Sequence, residues 1–192
     1  MVISKVKILR ANFSDATVLA EICKKAFDHI SEKYQGKKEG PPGYDMPHWH
    51  TIAMKEGVYF QILLHDKIIG AIIIALRDKR KATKKEIYHW ELVQMFIDPE
   101  YQGKGIGSFA VKEVERFFPE MYLLTLATPV KYISNNDFYK KLGFKKDVPM
   151  VGIKISFKSD FEKRLTPKIK KSSIKTSRDS PTISENMDNM HL

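Results

Sequence analysis

The chain has 192 residues, 43% hydrophobic and 11% aromatic, enough for one domain with a sizeable core and too few for a second of equal size. Its longest apolar run, Ile68 to Leu76, is nine residues, which excludes a bilayer-spanning helix, where roughly 20 are needed. The net charge is +10; residues 158–192 carry eight of the cations and five of the anions, leaving +7 on residues 1–157, a field that attracts polyanions without separating a polyphosphate ligand from nucleic acid.

Met1 to Arg10 interrupts its apolar residues with Lys5 and Lys7 and offers no secretory signal. Cys23, the single cysteine, has no internal partner. A soluble chain in a reducing, cytoplasmic setting is expected. Val6 to Ala11 reads as a first strand. Asn12-Phe13-Ser14-Asp15 then offers a helix start, with Ser14 as N-cap and Asp15 in the first turn. Leu19, Ile22, Cys23, Ala26, Phe27 and Ile30 recur at helical spacing and form one core-facing stripe, in which Cys23 reads as a small core residue. Ser31 to Gly43 is a polar loop ending in the turn cluster Pro41 to Asp45.

Met46 to Glu56 reads as a short helix closed by Gly57. His48 and His50 lie two residues apart, so a helix turns them to different faces, and no Cys or carboxylate cluster completes a metal set. A solvated face or one wall of a substrate cleft is expected instead, with no metal. Val58 to His65 and Ile68 to Leu76 form a hairpin across Asp66-Lys67, the second strand buried on both faces. Arg77 to Glu86 reads as a solvated, charge-rich loop, since it lacks aromatics for base stacking. Ile87 to Ile97 is the next strand. Period two puts Glu91, Val93, Met95 and Ile97 on one face and Trp90, Leu92, Gln94 and Phe96 on the other. Glu91 is open to two readings: a desolvated carboxylate suited to general-base work, or a strand-end glutamate that is paired or wetted.

Asp98-Pro99-Glu100-Tyr101-Gln102-Gly103-Lys104-Gly105-Ile106-Gly107-Ser108 joins this strand to an amphipathic helix that runs to Phe118 and stops at Pro119. Glycine at every second position lets the backbone turn sharply and bring its N–H groups close to a ligand. The helix that follows adds its first N–H groups and the positive end of its dipole, which together make an anion site for a phosphate or pyrophosphate. A tight turn with no ligand is the plainer alternative. A P-loop fails because Lys104 is followed by Gly105, and a dinucleotide fingerprint fails because its third glycine would stand one residue after Gly107. Met121 to Ala127 is a strand broken by Thr128-Pro129, and the strand–helix–strand order makes it parallel to the strand before the glycines. Ser134 is expected to cap a helix from Asn135 to Leu142, stopped by Gly143; Phe144 to Lys146 and Met150 to Phe157 supply a final hairpin. Residues 158–192 then read as a basic, polar, disordered tail after a domain of residues 1–157.

Gln102, Gly105 and Gly107, with their Asp-Pro-Glu-Tyr lead-in, resemble the acyl-CoA loop of the GCN5-related N-acetyltransferase (GNAT) family. Asn135-Asn136-Asp137-Phe138-Tyr139-Lys140-Lys141-Leu142-Gly143-Phe144 is similar to that family's second signature. The resemblance implies a three-layer α/β fold, with a mixed central sheet of six to seven strands flanked by helices and a splayed parallel pair at the acyl-CoA site. It implies an acetyl-CoA-dependent N-acetyltransferase. Met95, Phe96 and Ile97 would meet the pantetheine arm; Gln102, Gly103, Lys104, Gly105, Ile106, Gly107 and Ser108 would hold the pyrophosphate; and Asn135 would lie near the pantetheine. It also implies Glu91 as the base and Tyr139 as the acid that protonates the departing thiolate, although Tyr139 also reads as a core tyrosine packed on Phe138. Gly43-Tyr44-Asp45 looks like the substrate loop of some members, which makes Tyr44 and Asp45 substrate-binding candidates. A non-catalytic acyl-CoA sensor and a basic nucleic-acid-associated protein are the other classes. The expected partner is a small-molecule or peptide amine, with no membrane, little call for nucleic acid, and a homodimer open; the amine itself is not readable.

Overall fold

The computed structural model describes residues 2–34, 36, 38–82, 85–129, 131–147 and 158–165. Along the chain come β1 (Val6–Arg10), α1 (Ala16–Lys33), α2 (Pro47–Glu56), β2 (Val58–Leu64), β3 (Lys67–Ala82), β4 (Lys85–Ile97), α3 (Ile106–Phe117), β5 (Met121–Pro129), α4 (Ile133–Lys141), β6 (Lys145–Asp147) and β7 (Lys158–Arg164). The strands form one seven-stranded sheet in the order β1-β2-β3-β4-β5-β7-β6. Among the described strands only β4 and β5 are parallel, as the crossover through α3 requires; the other neighbours are antiparallel.

Alternation along the central strands builds two cores. Ile62, Ile72 and Ile74 pack against Ile106, Ala110 and Val114 of α3 on one face. Tyr59, Ala71 and Ile73 pack against Leu19 and Cys23 of α1 and Met54 of α2 on the other. The sheet is therefore the middle of three layers, the mixed α/β architecture that the sequence predicts. Cys23 is a buried core residue, as expected, and burial pushes its thiol pKa up. Among the described residues no helix is long and apolar enough to cross a membrane.

Several boundaries differ from the sequence expectation. Phe13–Asp15 is a 3-10 turn whose Asp15 Oδ2 accepts the Asn12 N–H at 2.9 Å, so α1 starts at Ala16 and Ser14 is not its cap. The β2–β3 turn falls on His65 and Asp66, with φ of 50° and 62°, the doubly positive geometry that matches strand twist in a tight hairpin. Arg77 to Glu86 is not a loop: β3 and β4 continue as a ribbon to the pair Ala82 and Lys85. Its charges sit in strands because they pair across them, Lys79 with Glu86 at 2.9 Å and Arg77 with Glu91. β5 likewise runs through Thr128 and Pro129. The strand expected over Met150 to Phe157 lies outside the described residues. Lys158–Arg164, assigned above to the tail, form β7 and pair with β5 from Arg164 opposite Leu123 to Lys158 opposite Pro129. The sheet thus continues past the boundary expected at Phe157, and residues 166–192 lie outside the described residues.

Candidate functional site

Parallel pairing of β4 with β5 begins at Tyr88 opposite Met121 and stops at Leu92 opposite Leu126. Past that point β5 is paired with β7 and β4 with β3, so the two strands part. Val93 is the cause. Ile73 faces Gln94 and Ile74 faces Leu92, which leaves Val93 as an extra residue, a β-bulge that bends the strand. The bulge also exchanges faces: Trp90 and Leu92 belong to the α3-side core, whereas Phe96 belongs to the α1-side core and Gln94 donates its amide to Cys23 Sγ at 2.9 Å. The single alternation expected from Trp90 to Ile97 is thereby corrected.

β4 ends at a turn fixed from three sides. Asp98 Oδ1 accepts the Glu100 N–H at 3.1 Å and caps the 3-10 turn Pro99–Tyr101. Lys25 of α1 reaches Asp98 at 3.0 Å and Glu100 at 3.1 Å. Gln102 donates its amide to the Ile97 carbonyl at 2.8 Å, closing the loop on the strand that feeds it. Gly105 is the residue before the first turn of α3, with φ of 79°, where a Cβ would cost about 1–2 kcal/mol. Among the described residues no side chain caps this helix, and its first internal bond runs from the Phe109 N–H to the Gly105 carbonyl at 3.0 Å. The N–H groups of Ile106, Gly107 and Ser108 are therefore outside the helical ladder, at the positive end of its dipole. Gly107 is inside the helix and is small for a different reason: a Cβ there would stand 3.2 Å from the Phe138 ring.

These elements border a cleft of about 550 Å³. It brings together Met95, Phe96 and Ile97 of β4, Gln102, Gly103 and Gly105 through Ser108, and Asn135 and Tyr139 of α4. Tyr139 is 7% exposed and lies edge-on to Phe138 and Phe144, with ring centroids 5.0 and 5.6 Å away. Burial pushes its phenol pKa well above the ordinary 10, so it keeps its proton at neutral pH.

Other expected residues lie elsewhere. Lys104 is absent from the lining; it donates to the Glu100 carbonyl at 2.7 Å and lies over the Tyr101 ring. Glu91 sits on β4 just before the bulge, outside the lining, ion-paired with Arg77. Tyr44 donates its hydroxyl to Asp28 at 3.1 Å and sets its ring edge-on to Phe27, while Asp45 is exposed; neither lines the cleft. His50 forms neither a solvated face nor a cleft wall. It is fully buried, its Nδ1 accepts from the Tyr59 hydroxyl at 2.6 Å and its Nε2 donates to the Tyr44 carbonyl at 3.0 Å, and burial lowers its pKa. His48 is exposed, so the two do not form a metal pair.

The sequence reading missed the opposite wall. Ala26, Phe27, Ile30 and Lys33 of α1 line the cleft, with Ser134 and Phe138 of α4. Phe27 and Ile30, the last members of the apolar stripe on α1, are the trace of this wall in the sequence. Ser134 is not the cap of α4 but lies in its first turn; the Tyr34 hydroxyl accepts the Ser134 N–H at 2.8 Å and donates to its Oγ at 3.1 Å. The Ser31 and Tyr132 hydroxyls meet at 3.2 Å, and Lys131 pairs with Glu39. The end of α1 and the loop after it are thus clasped to the start of α4.

The model of the acetyltransferase (GNAT) family matches residues 24–144. A protein of Bacillus subtilis named YrkN, described as uncharacterized, is 25% identical over 116 residues, which cover 60% of this chain and 59% of that protein, so the chain spans about three fifths of that relative's length. The PaiA N-acetyltransferase of Thermoplasma acidophilum, solved in complex with coenzyme A, superposes with a TM-score of 0.65 at 16% identity over 83% of this chain and 99% of that one. The yncA protein of Salmonella typhimurium, a putative acetyltransferase solved with its cofactor acetyl-CoA, gives a TM-score of 0.55 at 14% identity over 88% of this chain and 99% of that one.

Proposed function

The chain belongs to the acetyltransferase (GNAT) family, and from that premise we propose that it moves an acetyl group from acetyl-CoA to a primary amine by direct attack in a ternary complex. The observation that carries this is the parting of β4 from β5 beside the open first turn of α3, with Tyr139 inside the same cleft. Two of the similar structures hold coenzyme A or acetyl-CoA, which supports the choice of cosubstrate.

Each demand of the reaction has a group to meet it. Peptide N–H groups of Ile106, Gly107 and Ser108 receive the diphosphate, and the freed edge of β4 at Met95 to Ile97 receives the pantetheine arm and polarises the thioester carbonyl. The ammonium first loses a proton through water toward Glu91, the carboxylate on β4 before the bulge; the neutral amine then attacks that carbonyl, and the tetrahedral adduct gives up its second N–H proton to solvent as it collapses. As the carbon–sulfur bond breaks, Tyr139 donates toward the sulfur and is reprotonated from solvent. Asn135 completes the pantetheine side.

Calorimetry with acetyl-CoA and a thiol-release assay with an amine panel test the reading. Tyr139→Phe should lower kcat about 100-fold while acetyl-CoA affinity stays within about twofold, since the ring remains and only the proton is lost. No heat with acetyl-CoA would overturn the proposal. Heat without thiol release from any amine would convert it to a sensor.

A further inference from the structure

The two walls of the cleft lie on opposite faces of the sheet, α3 and α4 on one and α1 on the other, and they meet where β4 and β5 part. Anion-binding N–H groups are all on the α3 face. A cosubstrate held there leaves the α1 face for the acceptor. On that face the lining is Ala26, Phe27 and Ile30, followed at the end of the helix by Lys33.

Lys33 differs from the other lysines of α1. Lys24 is paired with Asp28 at 2.6 Å, and Lys25 with Asp98 and Glu100. Lys33 is exposed, lines the cleft, and has its ammonium 5.9 Å from the Tyr34 ring centroid; among the described residues it has no carboxylate partner. The described lining contains no Asp or Glu at all, and Lys33 is its one ionised side chain. Eight residues of helix put Lys33 about 12 Å along the axis from Lys25, which anchors the lead-in to the glycine turn. It therefore stands beside the first turn of α4, away from that lead-in.

A cleft with apolar side chains, a lone cation and no carboxylate has nothing to receive a second ammonium and one group to receive an anion. Resting on the acetyl-transfer reading, we propose that the acceptor is a small primary amine with an apolar body and a carboxylate at its far end, and that Lys33 binds that carboxylate.

The test compares straight-chain ω-amino acids of increasing length with the alkylamines and the α,ω-diamines of matching length, all with at least about four methylenes between the ends, because amine basicity then varies little and the far end is the main change. In the wild-type protein, at the length that spans the cleft, KM for the amino acid should fall by up to about fivefold below that of the alkylamine, the contribution of a solvent-exposed ion pair, and the diamine should be the poorest. Lys33→Met should erase the difference with KM for acetyl-CoA within about twofold, and Lys33→Glu should favour the diamine. Turnover with alkylamine or diamine equal to or better than the amino acid at every length overturns the inference alone. So does a Lys33→Met protein whose KM for acetyl-CoA rises while its acceptor preference stays, which would make Lys33 a phosphate contact. Acetyl-CoA binding with no turnover of any member overturns it too; absence of acetyl-CoA binding overturns the acetyl-transfer reading with it.

Discussion

On the α3 side of the cleft the groups facing a ligand are peptide N–H groups of Ile106, Gly107 and Ser108; on the α1 side they are the side chains of Phe27, Ile30 and Lys33. The first wall depends on backbone conformation, which only a few residue types can adopt, and it therefore leaves a mark in the sequence. The second depends on two elements about a hundred residues apart meeting across an opening in the sheet. It leaves almost none.

Substitutions can test that contrast, and the largest effect should come from the backbone wall. Gly107→Val would drive methyl groups into Phe138, Ile97 and Met95, all within 3.5 Å of the added Cβ. Overpacking of this kind costs about 1–3 kcal/mol, and where the strain is relieved by displacing the first turn of α3 the acetyl-CoA affinity measured by calorimetry should drop by roughly 5- to 150-fold. Affinity unchanged by valine would mean that the first turn of α3 does not shape the site.

A middle-sized effect is expected away from both walls, where His50 links α2 to β2. His50→Phe keeps a ring but strands the buried Tyr59 hydroxyl, which should cost about 1–3 kcal/mol in denaturant unfolding and leave kcat intact. The pH dependence has a definite sign. Burial holds the folded-state pKa of His50 below its ordinary 6.5, so as pH falls past that value the unfolded chain takes up a proton the folded chain refuses, and stability is lost. The His50→Phe protein should lose less stability between pH 7 and pH 5 than the wild type; an identical slope would show that His50 titrates alike in both states.

The smallest effect sharpens the contrast most. Lys104→Ala removes a cation that the family resemblance assigns to the phosphates but that the fold turns onto Tyr101 and the Glu100 carbonyl. Acetyl-CoA affinity should change by no more than about twofold; a larger loss would put Lys104 back among the phosphate ligands.

The parallel pair was legible from the strand–glycine turn–helix–strand order, because helix punctuation is local, whereas the three-layer architecture and most of the cleft-lining positions were implied by the resemblance of the glycine turn and the Asn135 to Phe144 stretch to the family's two signatures. The Val93 bulge was not: strict period two describes β4 only while each residue has one partner on β3, and an insertion there is a property of the pairing rather than of either strand. Arg77 to Glu86 misled for a related reason, since charge suggested a loop and cross-strand ion pairs make the same residues a ribbon. Ser134 looked like a helix cap because serine often is one, yet Tyr34, a hundred residues earlier, supplies the oxygen.

That Tyr34 contact has a geometric consequence. Together with the Ser31–Tyr132 and Lys131–Glu39 ties, it bridges layers that the sheet otherwise keeps apart, so one flank of the passage is shut. At that end a ligand in the cleft meets side chains of α1 and α4 that are held to one another rather than two independent walls, so loosening one of these ties should disturb both sides of the cleft together.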